Sequence, residues 1–331
     1  MTASFGCICL TSALTLLTSN TMPEAVRPAE PPLAMAELRL PVAMAETLAV
    51  SLGGEGPVVV LLSGSIGSAY TWRQVTAALL ADGHRVLTID PLGMGRSARP
   101  RQADYSLEAQ AERVRVALDS MNVSAGVIVA HGVSGSIAMR LALAHPDRVM
   151  GLVSVEGGPA ERAGSAGIKK ALAFAPLLRL FGGRGMIRGK IRNGLRDGSG
   201  DPGWVTEEVV ARYAEGPTAD LGATLRTLKA MADAREPLAL GPRLGALELP
   251  TIFLLGGAMH TGGPSEREVA LLRASVRGAE FVRVDGAGHY LQEERPDEVL
   301  GAIRTMVARV RRLQCADVGL GGDDATALRV P

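Results

Sequence analysis

Three cysteines in 331 residues, Cys7, Cys9 and Cys315, are too few and too peripheral for a disulfide framework or a four-ligand zinc site. They indicate no redox compartment. No apolar run reaches the roughly 20 residues needed to span a bilayer, so stable membrane insertion is not expected. With 35 Lys and Arg against 34 Asp and Glu, the chain lacks the basic surplus that draws a protein to nucleic acid. The five histidines have no metal-ligand spacing, and neither a metal nor a cofactor is expected. No internal repeat is present. What remains is a chain with 47% hydrophobic residues, long enough to bury a full core.

The two ends have a different composition from the middle. Phe5 to Leu17 has the length of a secretory apolar region but no basic residue before it, and Thr18-Ser-Asn-Thr21 is a poor cleavage site. Two readings stand for residues 1–21, a signal peptide or an over-annotated start, with Met22 and Met35 as later starts; the cytoplasm is the expected compartment and secretion the alternative. Pro23 to Pro32 reads as linker. Residues 1–35 are therefore expected to be a disordered leader and linker, and residues 314–331, with Gly319-Leu-Gly-Gly-Asp-Asp324, a disordered tail.

Between these ends strands and helices alternate. Strand patterns fall at 36–40, 47–51, 58–62, 85–89, 126–129, 150–155, 251–255 and 280–284, and helical patterns at 72–81, 107–121, 134–144, 266–276 and 297–313. This alternation predicts an α/β fold with a mostly parallel eight-stranded sheet, helices on both faces, and functional residues in loops after the carboxyl ends of strands. The alternation breaks from Gly157 to Pro237, a Gly-rich, helical and locally basic stretch that includes Lys169, Lys170, Arg179, Arg184, Arg188, Lys190, Arg192 and Arg196. It reads as a helical lid (157–237) inserted into a core made of 36–156 and 238–313, with Phe174, Leu178 and Phe181 expected to seal a pocket. The basic run reads either as a solvated face, the more common meaning of such runs, or as a guide for an anionic or carrier-bound ligand.

Four loops carry the chemistry. Val127-Ile-Val-Ala-His-Gly-Val-Ser-Gly-Ser136 runs from an apolar strand through a small-residue turn into a helix, the setting of a nucleophile elbow. Read as small-x-nucleophile-x-small over Ala130 to Ser134, it puts Gly132, which has no side chain, at the attacking position. Ser134 is the nearest hydroxyl, but it matches the second small position. Ser63-Gly-Ser-Ile-Gly67 follows the strand at 58–62. It reads either as a tight turn or as backbone N–H groups aimed at developing negative charge, Ser65 and Val133 being the expected oxyanion donors. Asp90, at the start of Asp90-Pro-Leu-Gly-Met-Gly-Arg-Ser97, reads as a turn-fixing carboxylate. His289, in Asp285-Gly-Ala-Gly-His289, is placed as a general base.

Taken together, Ser63-Gly64 with Trp72, Asp90-x-x-Gly93-x-Gly95-x-Ser97, the elbow followed by His145-Pro-Asp-Arg-Val149, and Gly288-His289 before Gln292-Glu-Glu-Arg-Pro296 resemble the α/β-hydrolase fold superfamily, in the subgroup of haloalkane dehalogenases, epoxide hydrolases and esterases. The resemblance covers about residues 36–313. It implies that Gly132 stands where the family has Ser, Asp or Cys, and that Ser63 replaces a usual His. It also implies that the common acid site in Gly256-Gly-Ala-Met-His260 falls on Met259, which cannot orient a base. Some members place the acid after the sixth strand, where Glu156 stands; Glu156 reads either as that acid or as a solvated loop carboxylate. His289, Glu156 and Gly132 are thus the expected catalytic positions, with Ser63, His131, Ser134 and Trp72 as candidate substrate contacts. Two functions fit. One is an enzyme acting without a covalent serine intermediate, with His289 as general acid/base and an oxyanion hole, on a small ester, lactone or carbonyl compound by hydrolysis or lyase/isomerase chemistry. The other is a non-catalytic homologue that binds a small ligand or acts as a scaffold.

Overall fold

The structure, a computed structural model, describes residues 35–164 and 184–317. Eight strands form one sheet: β1 (Ala36–Ala43), β2 (Glu46–Gly53), β3 (Val58–Leu62), β4 (Arg85–Asp90), β5 (Gly126–His131), β6 (Val149–Val155), β7 (Thr251–Gly256) and β8 (Glu280–Val284). Their spatial order is β1-β2-β4-β3-β5-β6-β7-β8. β1 and β2 form an antiparallel edge, β2 meets β4 antiparallel, and every pairing from β4 to β8 is parallel. The carboxyl ends of β3, β5, β6, β7 and β8 therefore lie along one edge of the sheet.

The alternation of side chains along the strands builds two cores. Val60, Leu62, Ile128, Ala130, Leu152 and Phe253 face one side, where they pack with residues of α2 (Leu107–Ser120) and α3 (Ser134–Ala144). Val59, Leu61, Val127, Val129, Val153 and Leu254 face the other, against α1 (Arg73–Ala81) and the C-terminal helix Pro296–Asp317. The central strands are buried on both faces, which is why they read as continuous apolar runs rather than alternating ones.

Boundaries differ from the sequence reading by a few residues. β5 runs two residues further, to His131, because Ala130 and His131 pair with Ser154 and Val155 of β6. Trp72 closes a 3-10 turn, Ala69–Trp72, before α1 begins. The last helix starts at Pro296, whose missing N–H costs nothing in a first turn. Among the described residues, three further helices lie between β6 and β7: α4 (Arg184–Asp197), α5 (Glu207–Ala219) and α6 (Leu221–Asp233). α7 (Glu266–Ser275) and the short α8 (Leu291–Glu294) complete the described helices with the last, α9 (Pro296–Asp317). Among the described residues, no helix is long and apolar enough to cross a membrane.

Two polar networks hold the loops. Asp90, 1% exposed, accepts from Ser63 Oγ at 2.8 Å and from Arg96 N at 2.9 Å. Burial pushes its carboxyl up to about 6 against the pull of those bonds. Arg140, fully buried on α3, faces Glu108, Glu161 and Glu236 and donates to Ala160 O. It thereby ties both ends of the segment between β6 and β7 to the core. A buried guanidinium surrounded by acceptors is costly to unpair.

Candidate active site

Gly132 sits between the end of β5 and the start of α3 with φ +57°. Its N–H donates to Val155 O at 2.9 Å, and its carbonyl accepts from Gly135 N at 3.0 Å. Left-handed backbone strains any residue with a Cβ, so glycine relaxes the turn. A Cβ built there would lie 3.4 Å from His289 Cε1 and 3.6 Å from His289 Nε2, ordinary contact distances. A side chain at this position would touch the imidazole without clashing with it.

His289 reaches that space from the loop after β8. Its backbone N–H donates to Gly198 O at 2.7 Å, and its carbonyl accepts from His131 Nε2 at 2.8 Å. Its Nδ1 lies 3.4 Å from Glu156 Oε2, longer than a typical hydrogen bond. Catalytic hydrogen bonds are often this loose without a ligand. The ring is 17% exposed.

Glu156 follows β6 directly and takes the left-handed conformation, φ +51°, unusual for a residue with a side chain. Its N–H donates to Leu254 O at 2.8 Å, so the turn is held by β7. The side chain is 2% exposed, and Oε1 accepts from Gly256 N at 2.6 Å. Burial alone would raise this carboxyl. The bonds from His260 and His289, the charge of His289 and the Gly256 N–H outweigh burial and hold it at about 2. Glu156 is therefore a buried anion, not a solvated loop acid.

His260 was not among the residues singled out by sequence. Its Nε2 lies 2.8 Å from Glu156 Oε2 and its Nδ1 2.8 Å from Ala258 O. The expected position, Met259, is fully exposed. Gly262 and Gly263, at φ +102° and +69°, fold the same loop over the pair. A Cβ on Gly262 would come within 2.9 Å of His289 Cγ, and one on Gly263 within 1.9 Å of Glu156 Oε2. The available signal was a rare histidine, one of five, in the loop where the fold's other members carry their acid.

The remaining expected residues lie beneath the site. Ser63 is fully buried with its hydroxyl on Asp90. Ser134 Oγ donates to Ser63 O at 2.6 Å, and Trp72 is fully buried. His131, 3% exposed, lies with its ring 4.5 Å from that of His289 and tilted by 44°, and burial pushes its imidazole down to about 3, so it is neutral. Ser65 and Val133 are partly exposed, and neither backbone N–H donates to an acceptor among the described residues.

Aromatic residues are scarce, 3% of the chain, yet four of them gather here. Trp204 and Tyr213, from the segment between β6 and β7, contact Tyr290 at ring separations of 5.4 and 6.4 Å, and Tyr70 meets Tyr213 edge-on at 6.3 Å. Beneath them Glu293 Oε1 accepts from Arg73 at 2.8 Å and from Tyr213 OH at 2.9 Å. Phe174, Leu178 and Phe181 lie outside the described residues, as do Lys169, Lys170 and Arg179 of the basic run. Arg188 and Arg196 on α4 are exposed, and Arg192 pairs with Glu207 at 2.5 Å. No group of three or more His, Cys, Asp or Glu among the described residues is placed to hold a metal ion.

Comparison with known proteins converges on the same architecture. A 102-residue stretch is 38% identical to Epoxide hydrolase B of Mycobacterium tuberculosis, covering 30% of this chain but only 29% of that protein. The sn-1-specific diacylglycerol lipase ABHD11 of Mus musculus is 26% identical over 262 residues, 76% of this chain and 81% of the relative. The solved structure of epoxide hydrolase CorEH superposes with a TM-score of 0.70 at 20% identity, covering 83% of this chain and 99% of the other. Residues 57–296 match the family model for the alpha/beta hydrolase fold. The chain belongs to the alpha/beta hydrolase fold family.

Proposed function

We propose that this protein is a hydrolase that works without a covalent serine intermediate. Its substrate is a small ester, lactone or comparably activated carbonyl compound. The observation that carries the reading is the missing side chain at Gly132, where a Cβ-sized group would touch His289 Cε1 and Nε2 at ordinary contact distance. A water molecule bound there meets the base directly. Glu156 orients His289 through Nδ1, which leaves Nε2 as the proton acceptor.

In this reaction His289 Nε2 takes a proton from the water as its oxygen attacks the carbonyl carbon. The carbonyl π electrons move onto oxygen, where the N–H groups of Ser65 and Val133 receive the charge. The tetrahedral intermediate collapses, the bond to the leaving group breaks, and the proton on Nε2 passes to the departing alkoxide. Each strong oxyanion donor contributes about 3–4 kcal/mol in enzymes of this type, and general base catalysis ~10²–10⁴-fold. The same base acting on a substrate C–H leads to lyase or isomerase chemistry. Residues 157–237 act as the lid: Gly198 holds the His289 backbone, and Trp204, tilted, and Tyr213, edge-on, pack against Tyr290 beside the base. Excluding water there strengthens the oxyanion contacts.

A second reading, a ligand-binding homologue without catalysis, draws on one observation: Glu156 lies closer to His260 than to His289. Hydrolysis of a panel of activated esters and lactones in ¹⁸O-water separates the two. The proposal expects turnover that depends on His289, with one ¹⁸O in the acid product from the first turnover and no label in Glu156. No turnover across the panel would favour the binding reading, and turnover undiminished in His289→Ala would place the chemistry on another base.

A further inference from the structure

The two contacts of the His260 ring define its protonation by simple bookkeeping. Ala258 O is a carbonyl and can only accept, so Nδ1 at 2.8 Å carries a proton. Glu156 Oε2 belongs to an ionised carboxylate and can only accept, so Nε2 at 2.8 Å carries one as well. A neutral imidazole has a single N–H. His260 is therefore a cation, and its salt bridge is formed with the same oxygen that faces His289 Nδ1 at 3.4 Å.

We infer that His260 is a positioning residue: an imidazolium that shares Glu156 Oε2 with His289 and so sets how firmly the acid holds the base. The inference rests on the His289–Glu156 pair being the working pair of the proposed reaction. The Glu156 hydrogen bond outweighs partial burial and holds the His260 ring above its ordinary range. The groups facing it are few. Glu156 comes from the end of β6, the His289 ring stacks at 6.4 Å and 24°, and Glu294 of α8 adds acidic charge at longer range. Asp197 reaches this loop only through its carbonyl, which accepts from Thr261 N. Gly263 leaves no room for a side chain between the rings and the acid.

The consequence has a definite sign. While His260 is charged, Glu156 is neutralised and its oxygen divided, so a second positive charge on His289 is opposed. When His260 gives its proton to solvent it keeps one N–H and must surrender one of its two bonds. The carboxylate keeps the stronger, charge-assisted bond, the Ala258 contact is given up, and the charge of Glu156 is left for His289 alone to balance. Turnover should therefore rise with pH as His260 loses its proton.

The test is a long-range ¹H–¹⁵N NMR titration of the histidine rings in the folded full-length protein and in His260→Gln, which keeps an N–H donor but no charge. In the wild type both His260 nitrogens should carry protons at pH 6 and lose one at a pH above that of an ordinary exposed histidine. In His260→Gln the His289 midpoint should move up by about one pH unit, the effect of removing a unit charge at that separation in partly solvated surroundings. A singly protonated His260 at pH 6, or a His289 midpoint unchanged in the variant, would overturn the inference. The wild-type titration decides the first point even if the variant does not fold. None of these readouts requires a substrate, so a failed titration removes the positioning role alone, whereas a coupled titration without turnover removes only the proposed hydrolysis.

Discussion

The turn after β5 and the loop after β7 both look, in sequence, like places where a chemical group has been lost: Gly132 at one, Met259 at the other. In three dimensions they differ. At Gly132 no side chain stands against His289, and a Cβ there would meet the imidazole at ordinary contact distance. In the β7 loop Met259 points fully into solvent while His260, one residue on, turns inward to Glu156. A gap in a motif can thus remain a gap or be filled by a neighbour. Backbone geometry decides which, through the left-handed φ of Gly132 in the first case and of Gly262 and Gly263 in the second.

The comparison can be broken most forcefully at the base. His289→Ala removes the group beside the Gly132 space and should lower kcat/KM by roughly 10²–10⁴-fold, leaving what the oxyanion donors supply. Steady-state hydrolysis of whichever activated ester the wild type cleaves measures this, and a loss below tenfold would place the chemistry elsewhere.

The shared acid offers a stability measurement. Glu156 is held at about 2 against an ordinary 4.5, so its ionised form contributes about 3 kcal/mol at neutral pH. Because the folded value is the lower one, that stability is present above 4.5 and disappears as pH falls towards 2. Urea unfolding of Glu156→Gln at pH 7 should show a deficit of that order, shrinking at pH 3.

His131 gives the opposite handle on the same wall. Its imidazole is held at about 3 against 6.5, so the folded protein resists protonation, and stability is full above 6.5 and falls as pH drops below it. Between pH 7 and pH 5 this costs about 2 kcal/mol. His131→Asn, which can still donate to His289 O, should flatten that part of the stability profile. A wild-type and a variant curve of equal slope would contradict the burial argument. The smallest effect belongs to the β7 loop. Met259→Ala should alter neither stability nor turnover measurably, within ~0.5 kcal/mol, since an exposed side chain with no contacts contributes little.

Much of this was legible in the sequence, for identifiable reasons. The eight strands were visible because apolar β-branched runs ended at Gly, Pro and Asp, and most boundaries shifted by only one or two residues. His289 and Glu156 were legible as residues at strand ends, and they lie 3.4 Å apart. His260 was not, because its role depends on β6 and β7 being neighbours in the sheet and on two glycines turning the chain back. The direction of the Ser134 hydroxyl was equally hidden: only the packing of α3 against the end of β3 brings Ser63 O within 2.6 Å of it. The helices α4 to α6 read only as a helical stretch, since Gly-rich and basic sequence blurs the apolar period.

In the proposed reaction the site keeps a base and oxyanion donors around an empty attacking position. Gly132→Ser tests it most directly, with labelling by a serine-directed phosphonate read by mass spectrometry of the intact protein. Left-handed backbone costs a serine about 1–3 kcal/mol, and the built Cβ meets His289 only at ordinary contact distance, so the variant should fold. The account predicts that the wild type stays unlabelled and that Gly132→Ser takes up one phosphonate at residue 132, with labelling lost again in Gly132→Ser/His289→Ala. Folded Gly132→Ser protein that remains unlabelled, or wild-type labelling that Ser134→Ala abolishes, would contradict it.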